Sequence, residues 1–409
     1  MANTFITSDM VAPRILMRVK NLLNMSNKFN RVYEDSIVGK YVGESIRIKK
    51  PLSFLTVDSE DITNHVQELK QKYITMNIDT WVSVPFSVTN RELTMELNEF
   101  DDTVIAPAVD RLVDRVNSDC CNLGKQIPNY YGTYASNVVA TPDAFNDVIQ
   151  TYRKLTEASV PRNNRHLILC PETFASLANA MHNVTAEQIA GKIIKGGLMI
   201  PMSGFQSIEE DQQVKYLTQA AQTTVTVNAT LNKDSVLNQI ALAGVDVDIA
   251  VGTAFEIDGV NAVNYVDKAD TGVTRKFVVT AGSTGAGTKT VTFSPTIVMS
   301  DDNNNPQYQN VTAYPAAGSA VLFHGAPSGD TSSHWINLAF HKNAFAMVCV
   351  PIELLDEGPN CSRAHDKKAG LSINVTIGAD ILKYRKICRI DIFYGLKVLN
   401  EDLACRLLG

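Results

Sequence analysis

Between Ile78 and Val116 the hydrophobic period of the chain changes from two to about 3.6 residues, and that change limits what the surrounding sequence can build. Trp81 to Thr89 alternates apolar and polar residues, with Val82, Val84, Phe86 and Val88 on one face, as in a half-exposed strand. Beyond Glu96-Leu97-Asn98, the residues Ile105, Val109, Leu112, Val113 and Val116 fall on one helical stripe. Asp101, Asp102 or Thr103 can cap its start. Pro107 lies early, in the first turn or at a slight kink. A long, charged, extended segment therefore feeds directly into a long amphipathic helix.

The chain has 409 residues, enough for two or three domains. Hydrophobic residues make up 45% and charged residues 20%, which is ordinary globular material. The net charge is −6 and the pI near 5.7, whereas tight or sequence-specific nucleic-acid binders carry a basic excess. The opening MANTFITSDMVAPRILMRVKNLLN has no basic region followed by an apolar run, so no targeting segment is expected. No stretch reaches the roughly 18 apolar residues of a membrane helix. Seven scattered cysteines, never spaced C-x-x-C, are expected to be reduced, mostly buried thiols of a cytosolic product. Cys361 and His365 are too few to make a zinc site.

Residues 8–24 have a helical stripe of Val11, Ile15, Val19 and Leu22 or Leu23, with Ser8 or Asp9 as cap. Met25 to Val42 is a polar connector. Strands near 45–50 and 80–97, with a polar middle from Asp58 to Lys72, are expected to form the two arms of a long hairpin. The alternative is an ordinary sheet with a helical insertion at Ile62–Tyr73. Thr141-Pro142 opens a second helix with Phe145, Val148, Ile149, Tyr152 and Leu155 as its stripe. His166 to Cys170 is a short buried strand. Pro171 and Glu172 begin another helix carrying Phe174, Leu177 and Met181. Gly191 to Gly204 is a glycine-rich loop.

From about Gln219 the composition shifts to Thr, Val, Ala, Gly and Asn, with helix formers only at Asp234–Ala243. Short strands are expected at Thr223–Asn228, Phe255–Asp258, Lys276–Thr280, Thr290–Phe293 and Ala320–Phe323, which suits a small antiparallel barrel or sandwich. Ile387 to Tyr394, ahead of Gly395, is a strong C-terminal strand.

The order D-x-W-V-x-V-x-F-x-V-T (79–89), E-L-T, F, P-A-V and L resembles the end of the extended loop and the start of the spine helix in tailed-phage major capsid proteins. T-T-V-T-V (223–227), G-T-A-F-E-I-D-G-V (252–260), K-T-V-T-F-S-P (289–295) and C-R-I-D-I-F-Y-G (388–395) are similar to the Salmonella-type short-tailed phage coat proteins, which add a β-barrel to that fold. The resemblance implies an α+β, Hong Kong 97-like capsid fold with an inserted antiparallel β-barrel domain. It divides the chain into an N-terminal arm (1–44), an extended loop (45–98), and a spine helix with peripheral domain (99–161). A first axial part (162–221), the inserted barrel (222–328) and an axial and peripheral remainder (329–409) follow.

Ala281 to Thr290 contains Gly282 and Gly287 at phosphate-loop spacing, but Thr288 stands where the lysine is needed and Lys289 comes one residue late. A hairpin tip is the expectation. Seven histidines make no metal spacing, and no G-x-S-x-G elbow occurs. Asp301 to Asn305 groups hard oxygens but lacks the EF-hand spacing, so a solvated turn is expected.

Neither catalysis nor a cofactor is expected. Arg47, Lys49 and Lys50, at the base of the hairpin, are candidates for contact with acidic groups of a neighbouring subunit, as are Trp81 and Phe86 for apolar contact. A solvated edge strand protected by its lysines is the alternative. Some relatives weld subunits through Lys–Asn bonds, and Lys49, Lys50, Lys70 and Lys72 lie in the corresponding region. The inserted-domain relatives lack this step. The resemblance implies a shell protein whose partners are copies of itself in hexamers and pentamers, a scaffolding protein, a portal protein and weakly held double-stranded DNA, with no membrane. Assembly would take place in the bacterial cytoplasm. A cellular nanocompartment shell of the same fold and an enzyme with an unrecognised site are the other readings.

Overall fold

In a computed structural model, the protein is described for residues 8–31, 45–51, 54, 60–61, 63, 66, 71–89, 105–132, 144–182, 204–220, 222, 224–265, 267–300, 306–324, 331–354, 360–366, 370–380, 383 and 385–408. It divides into two units, each assembled from separated stretches of chain. One takes residues 1–48, 73–121 and 345–399; the other takes 49–72, 122–344 and 400–409.

The elements of the first unit are α1 (Ser8–Leu22), β1 (Ser45–Lys49), β2 (Tyr73–Asn77), β3 (Thr80–Thr89) and α2 (Ala106–Asn122), together with four later strands. Those strands are β15 (Phe345–Cys349), β16 (Asn360–Asp366), β17 (Leu371–Asp380) and β18 (Arg385–Val398). β18 is central. β3 pairs with it antiparallel from Thr80↔Tyr394 to Thr89↔Arg385. β17 pairs from Asn374↔Asp391 to Asp380↔Arg385, and β15 takes Tyr394 to Val398. The alternation read from sequence thus describes a real strand, but its partner is the C-terminal strand. β1 is hydrogen-bonded to β2, so the hairpin expected between 45–50 and 80–97 is not formed by the described residues. Ile46 and Ile48 pack on Met76, Ile78, Ala346 and Val348.

Gly395 follows from a close approach. A Cβ there would lie 2.4 Å from the Asn77 carbonyl oxygen. α1 lies on β16 and β17. Its buried stripe is Ala12, Ile15 and Val19, continued by Leu23, whereas Leu22 is 44% exposed. Arg18 grips Asp110 of α2 through three hydrogen bonds of 3.0–3.1 Å. Met25 and Phe29 are buried, so the connector is polar only in part. α2 buries Val109, Leu112, Val113 and Val116 as its period predicts, and Pro107 lies in its first turn. Its expected caps, Asp101 to Thr103, lie outside the described residues.

The second unit contains β4 (Tyr130–Tyr131), α3 (Ala144–Glu157), β5 (Arg165–Leu169), α4 (Pro171–His182), β6 (Ser207–Glu210) and β7 (Tyr216–Ala220). The barrel strands follow: β8 (Val225–Val227), β9 (Gln239–Val245), β10 (Ala254–Val263), β11 (Asp270–Ala281), β12 (Gly287–Ser294) and β13 (Ala320–Phe323). β14 (Thr331–His341) and β19 (Ala404–Leu408) complete it. One sheet runs β4-β19-β14-β5-β6, and β7 pairs with the first half of β14. Val148, Leu155 and Leu177 from the helices pack with Leu167, Leu169 and Leu407. Ile149, expected in the stripe, is 39% exposed. Arg165 is fully buried, and its guanidinium donates to the carbonyls of Val160 and Pro161 and to Thr156 Oγ1. It thereby satisfies one acceptor in the last turn of α3 and two just past its end.

The barrel closes in the order β10-β11-β12-β9-β8-β13, with every pairing antiparallel. Phe255 is its hub, with ring centroids 5.6 Å from Phe277, 5.8 Å from Phe293 and 5.4 Å from Phe323. The helix formers at Asp234–Ala243 lead into strand β9, because closing the barrel there buries Ile240 and Leu242. The glycine run is a hairpin between β11 and β12. A Cβ on Gly282 would lie 2.1 Å from the Ile249 carbonyl oxygen, so its glycine serves backbone packing. The stretches 191–203 and 301–305 lie outside the described residues.

Candidate assembly surface

β1 sorts its side chains by the period of a strand. Ile46 and Ile48 are buried, while Arg47 and Lys49 are exposed on the opposite face. Neither cation has an ion pair among the described residues. Lys50 follows the strand and is exposed. Its amide donates to Lys72 O at 2.9 Å, and its carbonyl accepts from Gln71 Nε2 at 2.7 Å. Lys72 Nζ sits 4.5 Å from the Tyr308 ring centroid. Lys70 lies outside the described residues.

Trp81 and Phe86, the apolar candidates, fall on opposite faces of β3, and the structure does not bring them together. Phe86 is half-buried opposite Cys388. Trp81 is 49% exposed beside Phe393, with ring centroids 5.4 Å apart. Its indole Nε1–H donates to Ser83 Oγ and Asp391 Oδ1, both at 3.1 Å. Asp391 is 3% exposed and also accepts from Arg389 Nε at 2.6 Å and from the Ser83 hydroxyl. A buried carboxylate is tolerated where charged and neutral donors converge on it. The result is a half-exposed tryptophan held in one rotamer by a charged network, which suits a contact surface better than a free side chain does.

Sequence reading missed Arg389 and Asp391 as the charged pair beside Trp81. Their signal is two opposite charges at i and i+2 inside C-R-I-D-I-F-Y-G, an otherwise apolar strand. On a strand that spacing puts both on one face. Tyr394 of the same strand donates its hydroxyl to Asp119 Oδ2 at 2.7 Å, and burial with that carboxylate pushes the phenol well above its ordinary range. Among the described residues no group of His, Cys, Asp and Glu could hold a metal ion, and no helix is long and apolar enough to cross a membrane. Cys361 and His365 lie on β16 facing Thr376 and Ser372 across the ladder.

The protein thus belongs to the class of α+β chains that leave a mixed sheet, close an antiparallel barrel and return to the same sheet. More specifically, the sequence model of the family described as P22 coat protein, gene protein 5, matches residues 1–409, and the chain belongs to that family. It is a major capsid protein of a tailed phage, a structural subunit of the virion shell rather than an enzyme, and it assembles with copies of itself. Solved structures to which it is similar include Mycobacterium phage Che8, at 12% identity over 94% of this chain and 90% of that chain, with TM-score 0.48. The mature capsid of bacteriophage PhiM1 aligns at 10% identity over 94% and 86%, with TM-score 0.42. The CUS-3 coat protein I-domain aligns at 26% identity over 26% of this chain and 97% of that chain, with TM-score 0.20. No curated protein matches.

Proposed function

We propose that the chain folds as a Hong Kong 97-like subunit. Residues 1–44 serve as its arm, 45–98 as its extended loop and 99–161 as its spine helix and peripheral domain. Residues 162–221 and 329–409 form the axial and remaining peripheral parts, and 222–328 the inserted barrel. The path of the chain carries this reading. β7 and β14 pair from Thr331↔Ala220 to Trp335↔Tyr216, so the barrel leaves and re-enters between two adjacent strands. That is how an insertion joins an existing sheet.

In this reading Arg47, Lys49 and Lys50 meet acidic groups of a neighbour, and Trp81 and Phe86 make apolar contacts, around hexamer and pentamer axes. Single contacts of this kind are weak, and a closed shell multiplies them. A scaffolding protein guides closure in the bacterial cytoplasm, and a portal protein takes one vertex. The net charge of −6 keeps double-stranded DNA only loosely held at the wall. Negative-stain microscopy of the protein, expressed with and without its neighbouring genes, tests the proposal. Closed particles only with those genes are expected. A species that stays monomeric in both settings would overturn it.

A further inference from the structure

Within the second unit, the barrel meets the six-stranded sheet along a seam that holds buried charge. Arg406 of β19 is fully buried and donates through Nη1 to Gly252 O at 2.7 Å, in the turn before β10. Its Nη2 donates to Lys125 O at 2.9 Å. From the barrel side, Lys276 of β11 lies 3.5 Å from the Tyr130 ring centroid and donates to Tyr130 O at 3.1 Å. Glu256 Oε1 of β10 is 3.8 Å from the same ammonium. This carboxylate also accepts from the Tyr130 hydroxyl at 3.3 Å and from Thr274 Oγ1 at 2.9 Å, with His324 Nε2 3.2 Å away.

A purely apolar seam has no preferred register, because apolar contact is non-directional. Charged hydrogen bonds to backbone carbonyls are directional, and breaking one strands a buried group. Each cation therefore crosses the seam in one geometry only. The leverage is large. A ten-residue strand such as β10 is about 33 Å long. A tilt of about 5° at the seam then moves the far end of the barrel by about 3 Å, the length of a hydrogen bond.

We propose that Arg406 and Lys276 are positioning residues that set the angle of the barrel on the sheet, and through it the geometry with which copies of the chain meet in the shell. Burial lowers the Lys276 ammonium from its ordinary range, and Glu256 opposes that effect. Burial alone would raise Glu256, but His324, Lys276 and Thr274 outweigh it and hold the carboxyl below its ordinary range. The Tyr130 carbonyl at 3.1 Å and the Glu256 carboxylate at 3.8 Å give Lys276 polar partners that an apolar side chain of the same length would leave unmet.

The test compares full-length Lys276→Met, Lys276→Arg and Arg406→Lys with the unaltered chain. Hydrogen exchange is read on the unassembled protein, and particle shape is read by microscopy after assembly under one set of conditions. In Lys276→Met, the Arg406 amide, which donates to Asn129 O next to Tyr130, should exchange at least about tenfold faster, the scale of one lost charged hydrogen bond. Exchange within the barrel ladder should stay as it was. Particles should become mixed in size or fail to close. Lys276→Arg should restore both readouts, and Arg406→Lys, which keeps the charge but replaces the two-pronged guanidinium with a single ammonium, should behave like Lys276→Met. Unchanged seam exchange would overturn the proposal, as would loosened seams with normal particles. General unfolding of Lys276→Met that Lys276→Arg does not rescue would also overturn it, by showing that packing and not the cation sets the seam.

Discussion

Replacing Phe255 by Ala should remove much of the stability of the barrel. Its ring is fully buried and touches three other phenylalanine rings at centroid distances of 5.4–5.8 Å. A buried Phe→Ala change costs about 3–5 kcal/mol through lost transfer energy and the cavity left behind. A domain of this size has only about 5–15 kcal/mol in total. The assay is urea unfolding of a fragment spanning residues 222–328, which should fold alone because its ladder is closed. With a slope of about 1.5 kcal/mol per molar urea, the midpoint should fall by roughly 2–3 M. Phe255→Leu keeps most of the volume and loses the ring pairs, so it should cost about 1–2 kcal/mol. Leu322→Ala, on the neighbouring strand but 61% exposed, should stay within about 0.5 kcal/mol. The reasoning fails if Phe255→Ala costs under about 1 kcal/mol, or if Leu322→Ala costs as much.

Other expectations follow from single observations. Arg47→Glu with Lys49→Glu should leave monomer melting nearly unchanged, since an exposed ion pair is worth only about 0–1 kcal/mol; shell formation should fall, less so at high salt, and normal assembly at low salt would remove the electrostatic role. Gly395→Ala should destabilise the full chain by about 1–3 kcal/mol, read by thermal melting, because its Cβ would press 2.4 Å from Asn77 O. Burial raises the Glu401 carboxyl above its reference value of 4.5, against the hydrogen bond from Ser294. The folded state then binds the proton more tightly than the unfolded state, so stability falls as pH rises from 4.5 through the raised folded value. Glu401→Gln should flatten melting temperature across that window, and an unchanged slope would discount the group.

What could be read from the sequence was what a local period encodes. The stripe of α2, the alternation of β3 and the buried run at His166 to Cys170 each follow from residues within one or two turns of one another. Partners across the fold could not be read this way. The alternation in β3 says that one face is buried, and β18 and β1 both offered strands to pair with it. β9 was hidden because Asp234–Ala243 has helix-compatible residues, and only barrel closure makes the extended form bury Ile240 and Leu242. Arg47 and Lys49 were placed on the right face by their period. Asp391 reads as an ordinary charge until Trp81, Ser83 and Arg389 are seen to converge on it.

The pairing of β3 with β18 has a consequence for timing. Thr89 is translated about 300 residues before its partner Arg385, which at 5–20 residues per second is about 15–60 s. Through that interval the hydrogen-bonding edge of β3 has no partner in its own chain, and its sequence is half apolar. Every nascent chain in an infected cell therefore passes through a stage with an open strand edge, at the concentration at which its sister chains are being made. Pro85, near the middle of β3, has no N–H to donate and makes the strand a poorer template for a foreign strand. A stop codon anywhere before Arg385 would leave the edge open permanently, so truncated products should be recovered in aggregates and not as smaller soluble subunits.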